Sequence, residues 1–359
     1  MTFDRNSPYN QLPPLPPDGI DLESKAILKA TIAAHAALGE LRGMGAVVPN
    51  QYLILRSIAL QEARLSSEIE NIVTTADEVY RAMDDDASTY DPATKEVLHY
   101  QQALWHGVEA IQQRPFNVSL FNEIVSILKN ESMGLRSKPG TRLSDGQGGT
   151  LYTPPEGEFV IREKLDDLQR FMDSENKLDP LVKMALAHYQ FEAIHPYSDG
   201  NGRTGRILNI LFLLHSGLLL QPVLYLSRYI IENKNAYYDG LRDVTEHGAW
   251  EPWVLYMLGA VRETAVDAVS RIGAIRAGLE TFRAECQSKA PKAYSLELVH
   301  LLFRQPYCRI RDLEVEGIAK RQTASQYLQD LADCGLLKPV RVGNQVLYLN
   351  LSLLKILGG

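Results

Sequence analysis

The sequence predicts a mostly α-helical protein with one small β-hairpin in its middle and a winged helix-turn-helix unit at its end. Three observations lead there. Apolar residues recur at spacings of three and four over most of the 359 residues, the period of helices with one buried face. A single internal stretch, 138–155, holds Pro139, Gly140, Gly146, Gly148, Gly149, Pro154 and Pro155, more breakers than a helix survives. Residues 293–359 read as three helices followed by two short strands joined by Gly343-Asn344.

Residues 1–20 carry Pro13, Pro14, Pro16 and Pro17. They predict an extended, polyproline-like arm lying on the surface. An SH3-type ligand is the weaker reading, because composition alone seldom marks one. Residues 21–110 form a helical region. Ile27, Leu28, Ile32 and Ala36 set the period, and Pro49 and Asn50 punctuate it. A second helix begins near Gln51, Asp84-Asp85-Asp86 breaks the pattern, and a further helix covers 92–113.

Residues 111–285 form the central unit. A helix over 117–134 precedes the 138–155 segment, which is read as a hairpin or flap. Helices over 160–172 and 180–193 follow. Residues 195–206 read as a loop rich in glycine and polar groups, and an apolar helix over 207–216 is closed by Gly217. Helical patterns run over 232–283. Residues 287–292 read as a linker. In the last unit, helices are expected near 296–303, 312–316 and 321–334, with Gly335 ending the third, and strands at 340–342 and 346–349.

The composition is that of an ordinary soluble globular chain: 45% hydrophobic and 23% charged. A formal net charge of -7 argues against a protein that coats nucleic acid over its whole surface. Cys286, Cys308 and Cys334 are odd in number, widely spaced and without a CxxC pair. They predict free thiols in a reducing compartment rather than a disulfide framework or a zinc site. The N-terminus lacks a secretion-signal pattern, and the most apolar run, 207–214, is too short to span a bilayer. A cytoplasmic protein with no membrane partner is expected.

The chemistry concentrates in 195–206, His-Pro-Tyr-Ser-Asp-Gly-Asn-Gly-Arg-Thr-Gly-Arg. Gly200 and Gly202 let the backbone turn tightly and approach a ligand. Unpaired N–H groups at a helix start favour an anion, phosphate above all. Arg203 and Arg206, three apart, share one face of the helix and add two guanidinium forks. Asp199 is a hard oxygen ligand suited to Mg²⁺ on a phosphate, and His195 can take a proton near neutral pH. Singly, each residue reads as a cap or a turn. Together they read as a phosphoryl- or nucleotidyl-transfer site.

The same segment resembles the signature of the Fic family, H-P-F-x-D-G-N-G-R-x-x-R, with Tyr197 at the aromatic position. The resemblance implies a Fic-type helical core with its flap and an activity of protein adenylylation. ATP is the implied substrate and Mg²⁺ the implied cofactor, and the acceptor is a protein hydroxyl on Ser, Thr or Tyr, the chain itself included. In that scheme His195 is the general base and Asp199 holds Mg²⁺. Gly200, Asn201, Gly202, Arg203, Thr204, Gly205 and Arg206 bind the nucleotide, Arg206 at the γ-phosphate. Relatives that phosphorylate carry lysine where Gly202 stands, so glycine sides with adenylyl transfer. Transfer of another phosphate-containing group, or removal of AMP, stays open.

Ser66, Glu70 and Asn71 resemble the family's inhibitory motif, [ST]-x-x-x-E-[GN]. The resemblance implies a glutamate that pairs with Arg206 and misplaces the nucleotide. It also implies a flap that docks its target by strand addition, and a nucleotide base or ribose lined by Tyr237 or Tyr238. A homodimer is a family expectation. The terminal unit is compatible with DNA through Gln322, Thr323, Ser325, Gln326 and Arg341, and equally with protein contact. The rival from another class is a DNA-binding transcription regulator whose Fic-derived domain senses a ligand. An intact His195 argues against it.

Overall fold

A computed structural model describes residues 3–45, 51–82, 90–144, 148–342 and 345–358. The expected break at Asp84-Asp85-Asp86, the punctuation at Pro49-Asn50, and Gly146 and Gly343-Asn344 lie outside them. Among the described residues the chain is mostly helical with two small antiparallel sheets, and no helix is long and apolar enough to cross a membrane.

The N-terminal region comprises α1 (Lys25–Gly45), α2 (Gln51–Ile69), α3 (Ala76–Ala82) and α4 (Pro92–Ile111). Asp91 accepts a hydrogen bond from the Thr94 amide and Pro92 opens α4, a sequence-encoded start. Helix α5 (Val118–Lys129) starts at Asn117, which accepts from the Leu120 amide. It stops at Asn130, whose left-handed backbone satisfies the last carbonyls. The flap is a hairpin of β1 (Leu143–Ser144) and β2 (Thr150–Tyr152), with Leu143 opposite Tyr152.

Helices α6 (Glu158–Asp173), α7 (Pro180–Ile194) and α8 (Asn201–His215) carry the centre. Residues 181–191 of α7 are buried on every side, Lys183, His188 and Gln190 among them, and these three have hydrogen-bond partners. The loop expected over 195–206 is shorter than predicted: helix α8 already begins at Asn201, because left-handed Gly200 ends the turn and frees the next residues for helix. Helices α9 (Leu226–Glu232), α10 (Lys234–His247) and α11 (Trp250–Lys289) follow. The last is a 40-residue spine against which α1 packs. It runs through the first half of the expected 287–292 linker, ending at Lys289.

The terminal unit runs α12 (Leu296–Leu302), β3 (Tyr307–Cys308), α13 (Ile310–Val315), α14 (Arg321–Asp333), β4 (Lys338–Val342), β5 (Gln345–Leu349) and α15 (Leu351–Gly358). Its sheet has three strands in the order β3-β5-β4, one more than expected, and α15 is an added closing helix. At Gly278 of α11 a Cβ would stand 2.6 Å from Ile356 of α15, so the two helices meet at glycine.

The proline-rich arm lies along the surface without helix or strand and is pinned there. Leu12 is buried, Tyr9 donates its amide to the Thr153 carbonyl at 3.0 Å, and Gln190 and Lys164 hold the Pro13 and Leu12 carbonyls. Phe3 stacks on Tyr152 of the flap.

Candidate active site

His195 ends α7 with φ of +49°, a left-handed conformation that non-glycine residues seldom take. Arg136 holds it there. Its Nε donates to the His195 carbonyl at 2.7 Å, and its Nη2 donates to the carbonyls of Ile194 (3.2 Å) and Pro155. A buried guanidinium thus collects the orphan carbonyls at the end of α7 and ties them to the base of the flap. Tyr152 of the flap adds a hydrogen bond to the Ala193 carbonyl at 2.8 Å. Burial pushes the His195 pKa down to about 4, and the Arg136 charge adds to that. The imidazole is therefore neutral at pH 7, as a proton acceptor must be.

A cleft of about 880 Å³ opens beside His195, walled by the flap, by α8 and by α10. Asp199, Gly200, Asn201, Gly202 and Arg206 line it. Asn201 also staples the loop: it accepts from the Tyr197 amide and donates to the Tyr197 carbonyl, both at 2.8 Å. Tyr197 is buried and its hydroxyl donates to Asn122 at 2.9 Å, which satisfies the oxygen that phenylalanine would lack.

Arg206 is 2% exposed in its side chain and already engaged. Its Nη2 donates to Glu70 Oε1 (2.8 Å) and to the Ser66 carbonyl (2.8 Å), and its Nε to Ser66 Oγ (2.7 Å). The other Glu70 oxygen accepts from Arg203 Nε at 3.0 Å. Glu70 thus bridges both arginines, and a Cβ at Gly202 would stand 2.6 Å from its Oε1. Helix α2 delivers this carboxylate at its end. Asn71, at φ of +63°, terminates the helix as only glycine or asparagine readily does, and Lys234 donates to the Ile69 carbonyl at 2.6 Å. Two turns earlier, fully buried Glu62 accepts from Ser227 Oγ (2.6 Å) and Tyr100 OH (3.0 Å), which anchors α2.

Not every expected residue faces the cleft. Arg203 is 1% exposed and points to Glu70 and Glu96. Thr204 is buried. Gly205 packs on α7, where a Cβ would meet Glu192 at 2.4 Å and Phe191 at 3.2 Å. Helical geometry explains this: positions 203–205 turn away from the face that carries 202 and 206. Tyr237 does line the cleft, but it is 2% exposed and its hydroxyl shares a hydrogen bond with His188 at 2.9 Å. Its neighbour Tyr238 stands at the cleft wall, 47% exposed.

Sequence reasoning missed Arg136, Glu96, Lys129 and Glu192. Arg136 and Glu96 carry no local signal, since a lone charge resembles surface. Lys129 sits in the last turn of an amphipathic helix, and Glu192 lies one turn before His195. One oxygen of Glu192 is buried with no hydrogen-bond partner.

Asp199 fits Mg²⁺ by donor type. Its side chain is 54% exposed and lines the cleft. Lys129, hydrogen-bonded to it at 2.6 Å, helps keep it ionised against the pull of burial. Among the described residues no group of three His, Cys, Asp or Glu could cage a metal. One carboxylate with phosphate oxygens and water suffices for Mg²⁺.

Three family models match this chain: Fic/DOC family N-terminal over 28–109, Fic/DOC family over 115–213, and Protein adenylyltransferase SoFic-like, C-terminal domain over 279–353. The chain belongs to the Fic family. Protein adenylyltransferase fic-1 of Caenorhabditis elegans is 36% identical over 108 residues, which is 30% of this chain and 20% of that protein. Probable protein adenylyltransferase aq_aa38 of Aquifex aeolicus is 27% identical over 191 residues, 52% of this chain and 55% of that one. The chain therefore spans from about a fifth to about half the length of these curated relatives. A Fic family protein from Desulfovibrio desulfuricans G20 shares the fold, with a TM-score of 0.54 at 20% identity, covering 89% of this chain and 95% of its own. A Fic-1 fragment from C. elegans gives 0.55 at 19% identity, covering 70% and 74%.

Proposed function

We propose that this Fic protein is a protein adenylyltransferase, moving AMP from ATP to a protein hydroxyl, and that Glu70 holds it inactive. One observation carries the reading. A neutral histidine faces a nucleotide-sized cleft, and the arginine at the far end of the cleft is already taken by a carboxylate. A carboxylate on Arg206 stands in for a terminal phosphate.

In the active state Glu70 leaves and Arg206 takes the γ-phosphate. His195 removes the proton as the acceptor oxygen bonds to the α-phosphorus. The bond from that phosphorus to the oxygen bridging to the β-phosphate breaks, and pyrophosphate departs. Arg136 fixes the imidazole, and the helix start at Gly200 and Gly202 faces the phosphates. Asp199, with the phosphates, would hold Mg²⁺, which would supply charge neutralisation there. The flap hairpin beside His195 suits a target segment in extended form. Tyr238, rather than buried Tyr237, is the aromatic face for the base.

We assign 1–20, 21–110, 111–285 and 293–359 as arm, inhibitory region, catalytic core and winged-helix unit. The free thiols suit a cytoplasmic location. DNA contact by the terminal unit is the second reading, favoured by the exposed polar start of α14 at Arg321, Gln322 and Thr323.

The test uses ATP labelled at the α-phosphate, with Mg²⁺ and a cell extract. Glu70→Gly is expected to label protein strongly and wild type weakly, and adding His195→Ala to Glu70→Gly should abolish label. A silent Glu70→Gly, folded and able to bind ATP, would sink the proposal. Salt-dependent mobility shift of DNA near physiological ionic strength would then favour the regulator.

A further inference from the structure

Lys129 is paired with Asp199, the carboxylate proposed to hold the metal. It is the last residue of α5 and its side chain is 18% exposed. Its Nζ donates to Asp199 Oδ2 at 2.6 Å and lies 3.9 Å from Glu96 Oε2. Glu96 contacts Arg203. Arg203 reaches Asp199 Oδ1 at 3.8 Å and Glu70 at 3.0 Å, and Glu70 reaches Arg206 at 2.8 Å. Cations and carboxylates thus alternate from Arg206 to Asp199, and their formal charges cancel.

This balance has a consequence for metal binding. A compact ammonium on a carboxylate lowers the attraction of that carboxylate for a second cation, because the two cations repel at close range. Glu96 offers the ammonium another seat, already 3.9 Å away. The lysine stem runs past Gly200, where a Cβ would stand 3.7 Å from Lys129 Cδ and 3.3 Å from Val125. Rotation about the last bonds of the lysine moves Nζ between the two carboxylates without moving a helix.

We propose that Lys129 is the resident cation of the resting site, seated on Asp199 until a divalent metal displaces it onto Glu96. This rests on the reading of Asp199 as the metal carboxylate. The protein alone then takes up divalent metal poorly, and metal enters with the nucleotide, whose phosphates supply the missing ligands. Lys129 is a positioning residue in this scheme, and Glu96 is its second seat.

The experiment is a titration of the full chain with Mn²⁺ alone, read by the loss of the free-ion electron paramagnetic resonance signal. Lys129→Met is expected to bind Mn²⁺ about tenfold more tightly than wild type, the scale of removing one unit charge beside a metal carboxylate. Adding Asp199→Ala to Lys129→Met should erase the gain. Glu96→Gln removes the second seat and should weaken binding. A damaged fold could not move the two single variants in opposite directions. Equal or weaker binding by Lys129→Met, or a gain that survives Asp199→Ala, overturns the proposal. The metal reading itself is checked separately: transfer by Glu70→Gly that ignores both chelator and Asp199→Ala overturns that reading whatever Lys129 does.

Discussion

Glu70 and Arg206 are 136 residues apart in sequence and 2.8 Å apart in the fold. The contact joins the end of a helix in the N-terminal region to the second turn of α8, the helix that starts beside the cleft. Arg206 keeps two further bonds to Ser66 when Glu70 is absent, so the guanidinium is not stranded. Removing a partner from a buried pair still leaves uncompensated charge.

Glu70→Gly should therefore be less stable than wild type by about 1–3 kcal/mol, while binding ATP more tightly. Thermal melting with and without ATP tests this. The ATP-induced rise in melting temperature should be larger in Glu70→Gly. A smaller rise would show that Glu70 does not occupy the phosphate position.

Arg136 should behave as a positioning residue. Its bonds to the carbonyls of His195, Ile194 and Pro155 need a fork, which a lysine cannot supply. In the Glu70→Gly background, both Arg136→Ala and Arg136→Lys should lose most transfer activity while ATP binding is nearly kept. Each should also lower stability, Arg136→Ala by about 3 kcal/mol. Full activity in Arg136→Lys would mean that charge alone suffices.

The two neighbouring tyrosines should separate cleanly. Tyr238→Ala removes an exposed aromatic wall and should weaken ATP binding by about 1–3 kcal/mol, the worth of stacking on a base, with little change in melting. Tyr237→Phe deletes a buried hydroxyl bonded to His188 and should cost about 1 kcal/mol of stability, leaving ATP affinity nearly intact. The reverse pattern would return the base to Tyr237.

Much of this site was legible because one segment holds it. His195, Asp199, Gly202 and Arg206 lie within a single turn and helix start, and Glu70 lies in a short motif of its own. The mostly helical class followed from apolar period. What stayed hidden is tertiary. Arg136, Glu96 and Lys129 reach the site from other helices, and no local pattern separates them from surface charge. Tyr237 and Tyr238 are adjacent and chemically alike, so only packing tells them apart. The early start of α8 depended on the left-handed backbone of Gly200, which sequence permits without requiring. The arm lies along the surface without helix or strand, but the seat of Leu12 depends on what the chain meets, which proline content does not reveal.

Glu192 lies one turn before His195, and its carboxyl reaches over Gly205. Burial pushes its pKa from 4.5 up to about 7; Arg206 opposes the rise and Glu70 adds to it. In the unfolded chain the group ionises near 4.5, and in the folded one only near 7, so stability falls as pH rises between those values. Glu192→Gln cannot ionise and escapes that loss. Its stability relative to wild type should climb from pH 4.5 to 7 and then level, by up to about 3 kcal/mol for a shift of this size. His195 works in the opposite sense: its lowered pKa means stability lost as pH falls towards 4. Both proteins share that histidine, so it cancels in the difference. Adding Glu70→Gly to both removes one of the two causes and should shrink the climb. A difference between Glu192→Gln and wild type that is flat from pH 4.5 to 7, measured by denaturant melts, would show that Glu192 is ionised in the folded protein throughout.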